Sequence, residues 1–181
     1  MGGVVTTSKQ SEELLRKGGF NPRPLAEGKQ PLDVYVDGAD EVDPRFNLIK
    51  GGGGALTSEK IVANNAKKFI CIVDESKLVQ KLGKFPLPVE VISSAVPSIS
   101  RILKNDYNAR PREREGFTEH GNTIIDVAGL EIESPENLEG ELNQIPGVVT
   151  VGLFGKLKPY FCIVGYDDEV KEIFKKNLTN L

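Results

Sequence analysis

The sequence predicts an α/β fold: a Rossmann-like parallel sheet domain over residues 1–87 and 157–181, interrupted by a ferredoxin-like (βαββαβ) α+β domain over 88–156. Three observations predict it. Apolar strands alternate with helices in the first half, around a run of four glycines. From Val89 to Phe154 the order becomes β-α-β-β-α-β, the split βαβ arrangement. A βα pattern resumes at Tyr160, which returns the chain to the first sheet.

Val4 to Thr7 reads as a strand, Ser8 as the N-cap of a helix with Glu12/Arg16 and Glu13/Lys17 as i,i+4 pairs, and Gly18-Gly19 as its end. Pro22 and Pro24 weaken any strand between Phe20 and Gln30. Leu32 to Val36 is a strand ending in Asp37-Gly38-Ala39-Asp40. Gly51 to Gly54 follow Leu48-Ile49-Lys50 and open a helix from Thr57 to Lys67, after which Phe69 to Val73 is a strand. Strands this apolar imply a parallel sheet covered on both faces. Lys84 to Pro88 reads as a stiff proline linker.

In the second domain, Val89 to Ile92 is a strand, Ala95 to Lys104 a helix, and Arg110 to Glu115 and Thr123 to Val127 two strands joined around Glu119 to Asn122. Ser134 caps a helix with Pro135 in its first turn and Leu138, Leu142 and Ile145 at helical spacing, and Val148 to Phe154 is one strand. After the strand Tyr160 to Gly165, the spacing of Val170, Ile173, Phe174 and Leu178 predicts a closing helix.

Composition narrows the function classes. Twenty-three basic against twenty-six acidic residues give a net charge of −3, and the densest basic stretch, Arg110, Arg112 and Arg114, is interleaved with Glu113 and Glu115. It reads as a solvated strand face, and no nucleic-acid partner is expected. No apolar run approaches a membrane span and the start lacks a signal-peptide pattern, which predicts a soluble, cytoplasmic protein. Cys71 and Cys162 each sit inside an apolar run and read as buried free thiols.

Asp37 and Asp40 stand just past the carboxyl end of a strand, where open α/β sheets bind ligands, although an ordinary Asp-Gly turn in a solvated acidic run with Glu41 and Asp43 fits the same letters. Counted from Asp37, a calcium loop would need Gly at Val42 and Glu at Leu48, which excludes it. Lys50 with Gly51 to Gly54 suits an anion cradle of backbone N–H groups beside a positive charge; a flexible linker is the alternative, but linkers join polar segments and this run lies between apolar ones. Walker and dinucleotide fingerprints both fail, the latter because Leu56 or Thr57 stands where Gly is required.

Glu59, in the first turn of the helix, either complements the helix dipole or faces the cleft as a general base. Lys77, three residues beyond Asp74, is a surface lysine or a phosphate contact. The lone histidine, His120, falls in a hairpin turn of the other domain, away from any nucleophile.

Several motifs together resemble type A ribose-5-phosphate isomerases: YVDGADE over 35–41, IKGGGGALTSEK over 49–60, LGKFPLPVE over 82–90, Gly121-Asn122, and IPGVVTVGLF over 145–154. The resemblance runs in register from Val4 to Phe154. It implies an aldose-ketose isomerase of the non-oxidative pentose phosphate pathway, converting ribose 5-phosphate and ribulose 5-phosphate through an enediolate without metal or organic cofactor. It implies Glu59 as the base, and Asp37 and Lys50 as assistants in ring opening and charge stabilisation. Asp37, Gly38, Ala39, Asp40, Lys50, Gly51, Gly52 and Gly53 would line the substrate site and Lys77 would contact the phosphate. Association into homodimers or homotetramers is also implied. Members of this family begin with a further helix, strand and phosphate-holding loop, which this sequence is expected to lack. A non-catalytic sugar-phosphate-binding regulator on the same sheet is the alternative reading.

Overall fold

The computed structural model describes residues 3–23 and 31–174. In chain order its elements are α1 (Lys9–Lys17), β1 (Tyr35–Asp37), β2 (Glu41–Val42), β3 (Leu48–Ile49), α2 (Leu56–Asn64), β4 (Phe69–Asp74), β5 (Leu87–Val91), α3 (Val96–Asn105), β6 (Arg110–Glu113), β7 (Thr123–Ala128), α4 (Pro135–Asn143), β8 (Val148–Val151), β9 (Leu153–Phe154), β10 (Phe161–Gly165) and β11 (Val170–Phe174).

Helix α1 begins as expected, with Ser8 Oγ accepting from Ser11 N at 3.2 Å, and Arg16 pairs with Glu12 at 2.7 Å. Gly18 caps its end and Gly19 takes a left-handed φ of 83°. Val4 to Thr7 is not a strand: among the described residues its one backbone bond outside the helix start is Arg23 N to Val4 O, and no ladder includes it. Pro24 lies outside the described residues.

The first sheet has the order β1-β4-β10-β11, parallel through β10. Alternation along its strands sends Tyr35, Phe69, Cys71, Val73, Cys162 and Val164 into one core. The opposite face is only partly covered, with Val36 51% and Ile72 45% exposed, so the expectation of two covered faces fails. The closing helix is also a misreading. Val170 to Phe174 is a strand antiparallel to β10, turned back by Tyr166 N donating to Glu169 O at 2.8 Å. The i, i+3, i+4 apolar set that suggested a helix also suits a strand, with Ile173 toward the core and Phe174 stacked on Phe161 at 5.1 Å; Leu178 lies outside the described residues.

A small antiparallel sheet, β2-β3-β9, joins the two halves. Its hairpin is held by Asp43, whose carboxylate accepts from Arg45 N, Asn47 N and Asn47 Nδ2. Glu41 accepts from Gly83 N at 2.8 Å and Phe85 N at 2.6 Å. Glu41 and Asp43 are therefore buried structural acceptors and not a solvated acidic run. The same bonds hold the stretch read as a linker, whose Leu87 and Pro88 are already inside buried strand β5.

The second large sheet has the order β6-β7-β5-β8, all antiparallel, with α3 and α4 packed on it through Ile99, Leu103, Leu138 and Leu142. This is the ferredoxin-like order. Pro135 stands in the first turn of α4, but Ser134 makes no side-chain cap bond. The single strand expected over Val148 to Phe154 divides at Gly152 into β8 and β9, which serve different sheets. A Cβ on Gly152 would lie 2.2 Å from Lys50 O, so only glycine permits this backbone approach. Gly152 O accepts from Lys50 N at 2.9 Å and Gly152 N donates to Pro88 O at 2.7 Å, which ties Lys50 to both sheets.

Helix α2 lies against β5 and β8 and buries Leu56, Val62 and Ala63. At about 1.5–3 kcal/mol for a fully buried Leu or Val, this contact holds a nine-residue helix whose N-cap, Ala55, has no side-chain acceptor. Among the described residues, no helix is long and apolar enough to cross a membrane.

Candidate active site

Lys50 follows directly on β3 with its side chain 3% exposed. Its Nζ lies 2.9 Å from Asp37 Oδ2, donates to Gly38 O, and stands 3.2 Å from Glu59 Oε2. Asp37 comes from the end of β1 and Glu59 from the first turn of α2, so three elements meet at one ammonium group. Tyr35, two residues before Asp37 on the same strand face, donates its hydroxyl to Asp37 Oδ2.

The electrostatics of this cluster are set by burial. Glu59 has its pKa raised, first by burial and then by Asp37 and Asp40, against the opposing pull of Lys50. Its Oε2 has no aligned hydrogen bond although Lys50 is in ion-pair range. For Lys50, burial works against the charge, but Glu59 and Asp37 together outweigh it and raise its pKa. Tyr35 is pushed up by burial and by Asp37, so it stays a neutral donor. The arrangement offers a desolvated carboxyl group that can take up and return a proton beside a permanent cation.

Asp40 Oδ2 accepts from Gly52 N at 2.8 Å, which fastens the glycine loop to the Asp37–Asp40 turn. Gly51 has a φ of 101°, and a Cβ on Gly52 would meet Asp40 Oδ1 at 2.6 Å. The loop is a built turn, with Gly54 N donating to Gly51 O at 3.0 Å, and not a flexible linker. Gly52 and Gly53 line an opening of about 320 Å³.

Lys77 stands apart from these contacts, in a short 3₁₀ turn after β4. It lines a cavity of about 790 Å³ together with Gly38 and Ala39, and Gly38 O also accepts from Lys50 Nζ. His120 is less remote than its sequence position suggested: its Nε2 lies 2.9 Å from Ser58 Oγ, on the helix that carries Glu59. Both groups are on the surface, and no acid partner orients the imidazole among the described residues.

Four supports of the site were missed by sequence reasoning. Tyr35 is one. Glu90, fully buried in β5, accepts from Thr57 Oγ1 at 2.5 Å, Thr118 Oγ1 at 2.8 Å and Asn122 Nδ2 at 2.9 Å, binding the hairpin turn to the start of α2. Lys60, next to Glu59, reaches Glu139 Oε1 at 2.7 Å and the carbonyls of Val151 and Leu153. Arg114 is not part of a solvated strand face: it pairs with Asp126 and donates to the carbonyls of Gly51 and Gly52. Spacing carries no signal for its contact with the glycine loop, because Gly51 and Gly52 lie more than sixty residues away.

The family model for ribose 5-phosphate isomerase A (phosphoriboisomerase A) matches residues 3–169. A ribose-5-phosphate isomerase A from Leptothrix cholodnii is 46% identical over 172 residues, covering 94% of this chain and 78% of the relative. The crystal structure of ribose 5 phosphate isomerase A from Neisseria gonorrhoeae superposes with a TM-score of 0.92 at 46% identity, covering 96% of this chain and 77% of that one. A D-ribose-5-phosphate isomerase in complex with phospho-erythronic acid superposes with a TM-score of 0.89 at 42% identity, covering 94% and 76%.

Proposed function

This chain belongs to the ribose 5-phosphate isomerase A family, and on that premise we propose that Glu59 carries the proton between C1 and C2 of the sugar. The protein interconverts ribose 5-phosphate and ribulose 5-phosphate, an intramolecular oxidation and reduction. The observation that carries the assignment to Glu59 is its buried carboxyl group, with raised pKa and one unaligned oxygen, 3.2 Å from Lys50.

In the open-chain aldose, Glu59 removes the C2 proton and the electron pair moves through C1 onto O1, giving an enediolate. A proton passes from O2 to O1, Glu59 returns its proton to C1, and the carbonyl now stands at C2. Charge gathers on O1 and O2 in turn, so fixed donors beside them lower the barrier. The Lys50 ammonium and the glycine-loop amides fill that role, and Asp37, already paired with Lys50 and Tyr35, serves ring opening. Gly38, Ala39, Asp40 and Gly51 to Gly53 line the sugar. Lys77, on the cavity it shares with Gly38 and Ala39, takes the phosphate.

The same reading divides the chain into a catalytic domain (1–87 with 157–181) and an inserted domain (88–156), a division supported by two hydrophobic cores that follow it except that Ile49, Leu82 and Leu87 join the inserted domain's core and Phe154 the other. Homodimers or homotetramers are proposed, supported by the half-exposed apolar residues Val36 and Ile72. The free buried thiols Cys71 and Cys162 suit a reducing, cytoplasmic compartment. The non-catalytic binding alternative finds no support, since the relatives are isomerases. The test is conversion of ribose 5-phosphate to ribulose 5-phosphate by the purified chain; absence of turnover would discard the reading.

A further inference from the structure

Arg114 follows β6 and holds Asp126 of β7 with two hydrogen bonds, Nε to Oδ2 at 2.9 Å and Nη2 to Oδ1 at 2.5 Å. Such a fork leaves the guanidinium little freedom. Its remaining edge points out of the ferredoxin-like sheet, where Nη1 donates to Gly51 O and to Gly52 O, each at 3.2 Å. No described peptide bond is cis, so each carbonyl lies opposite the N–H of the next residue across its own peptide plane. Holding both carbonyls toward Arg114 therefore turns the N–H groups of Gly52 and Gly53 to the other side of the loop.

On that side lies the Asp37–Asp40 turn. Gly52 N donates to Asp40 Oδ2 at 2.8 Å, so the Gly51–Gly52 peptide is gripped at both ends by opposite charges. Gly53 N–H has no protein acceptor among the described residues, and a Cβ built on Gly53 meets nothing within 4 Å. Glycine peptides rotate with little steric resistance, and without a clamp this pair could present a carbonyl where a donor is needed.

We propose that Arg114, from the second domain, is a positioning residue for the isomerisation: it locks two glycine-loop peptides so that the Gly52 N–H holds Asp40 and the Gly53 N–H is left for the sugar oxygens that become charged in the enediolate. The inference rests on the isomerase reading. A clamp of this kind acts on the transition state more than on the bound sugar, because neutral ground-state oxygens gain less from an aligned donor. A purely structural fastener between two sheets would act on stability instead.

The experiment compares wild type, Arg114→Met, Arg114→Lys and Asp126→Asn in the isomerase assay, with thermal unfolding of each. Expected for Arg114→Met is a loss in kcat of about tenfold to several hundredfold, KM within about threefold, and unfolding still far above assay temperature. Arg114→Lys, a point charge that cannot hold Asp126 and two carbonyls together, recovers only part of the loss. Asp126→Asn keeps the guanidinium but frees it, and lowers kcat in the same sense. It decides the matter by the same criterion if Arg114→Met does not fold. Undiminished kcat in the folded variants, or a loss wholly accounted for by unfolded protein, overturns the inference while the isomerase reading stands. An inactive wild type overturns that reading, and the inference with it.

Discussion

Lys50 Nζ stands 3.2 Å from Glu59 Oε2, within ion-pair range, yet that oxygen has no aligned hydrogen bond. The ammonium spends its directed bonds on Asp37 and Gly38, so it stabilises negative charge in the pocket without fixing the Glu59 oxygen in place. A carboxylate left in that condition stays basic and able to move, both of which a proton carrier needs.

The pH dependence follows from the direction of the Glu59 shift. A base works when deprotonated, and burial raises Glu59 above the ordinary 4.5, so the acid limb of kcat against pH should lie above 4.5. Lys50 is raised above 10.5 and remains charged throughout the neutral range. A kcat profile still on its plateau well below pH 4.5 would remove Glu59 from the role.

Replacing Lys50 with Met leaves two carboxyl groups without their counter-charge. Turnover should fall at least about a hundredfold, as expected for loss of a charge-stabilising donor. Stability should fall too, by up to about 3–5 kcal/mol, because a buried pair loses one partner. Without Lys50 the folded pKa of Glu59 rises further, and a raised carboxyl loses stability as pH climbs through its folded value. Denaturant unfolding should therefore show the deficit of Lys50→Met growing from acid toward neutral pH.

Gly52→Ala tests the link between the loop and Asp40. The new Cβ would fall 2.6 Å from Asp40 Oδ1, and backbone strain does not confuse the result, because Gly52 is not among the positive-φ glycines. Displacing Asp40 frees the Gly52 amide, and kcat/KM should drop at least about tenfold with little change in unfolding midpoint. Steady-state kinetics beside a thermal melt decides it.

Glu90 connects the hairpin turn to α2 through three donors while fully buried. Glu90→Ala leaves Thr57, Thr118 and Asn122 short of an acceptor, and the unfolding free energy should fall by about 3 kcal/mol or more. Glu90→Gln, which keeps one acceptor oxygen, should lose less. Equal stability of both variants and wild type would show that the network contributes nothing.

Much of this site was legible because its residues occupy special backbone positions close together in sequence. Asp37 and Asp40 close a strand, Lys50 precedes a glycine turn, and Glu59 opens a helix, so local rules place all four near one cleft. The ferredoxin-like order was legible for the same reason, since each of its elements is written in local periodicity. What failed depended on distant partners. Val4 to Thr7 has strand-forming residues but no ladder among the described residues, and Val170 to Phe174 pairs with β10 although its spacing suits a helix equally. Glu41 and Asp43 look solvated by composition, and only the fold supplies the amides that bury them. Arg114 and Glu90 act across sequence separations of about thirty to sixty residues, where no periodicity speaks.

The central assignment is tested most directly by the turnover of ribose 5-phosphate in Glu59→Gln. The substitution preserves shape and removes the proton-accepting charge. The account predicts a fall in kcat of about a hundredfold to ten-thousandfold, with ribose 5-phosphate still bound in a calorimetric titration. Turnover within a few-fold of wild type would contradict it.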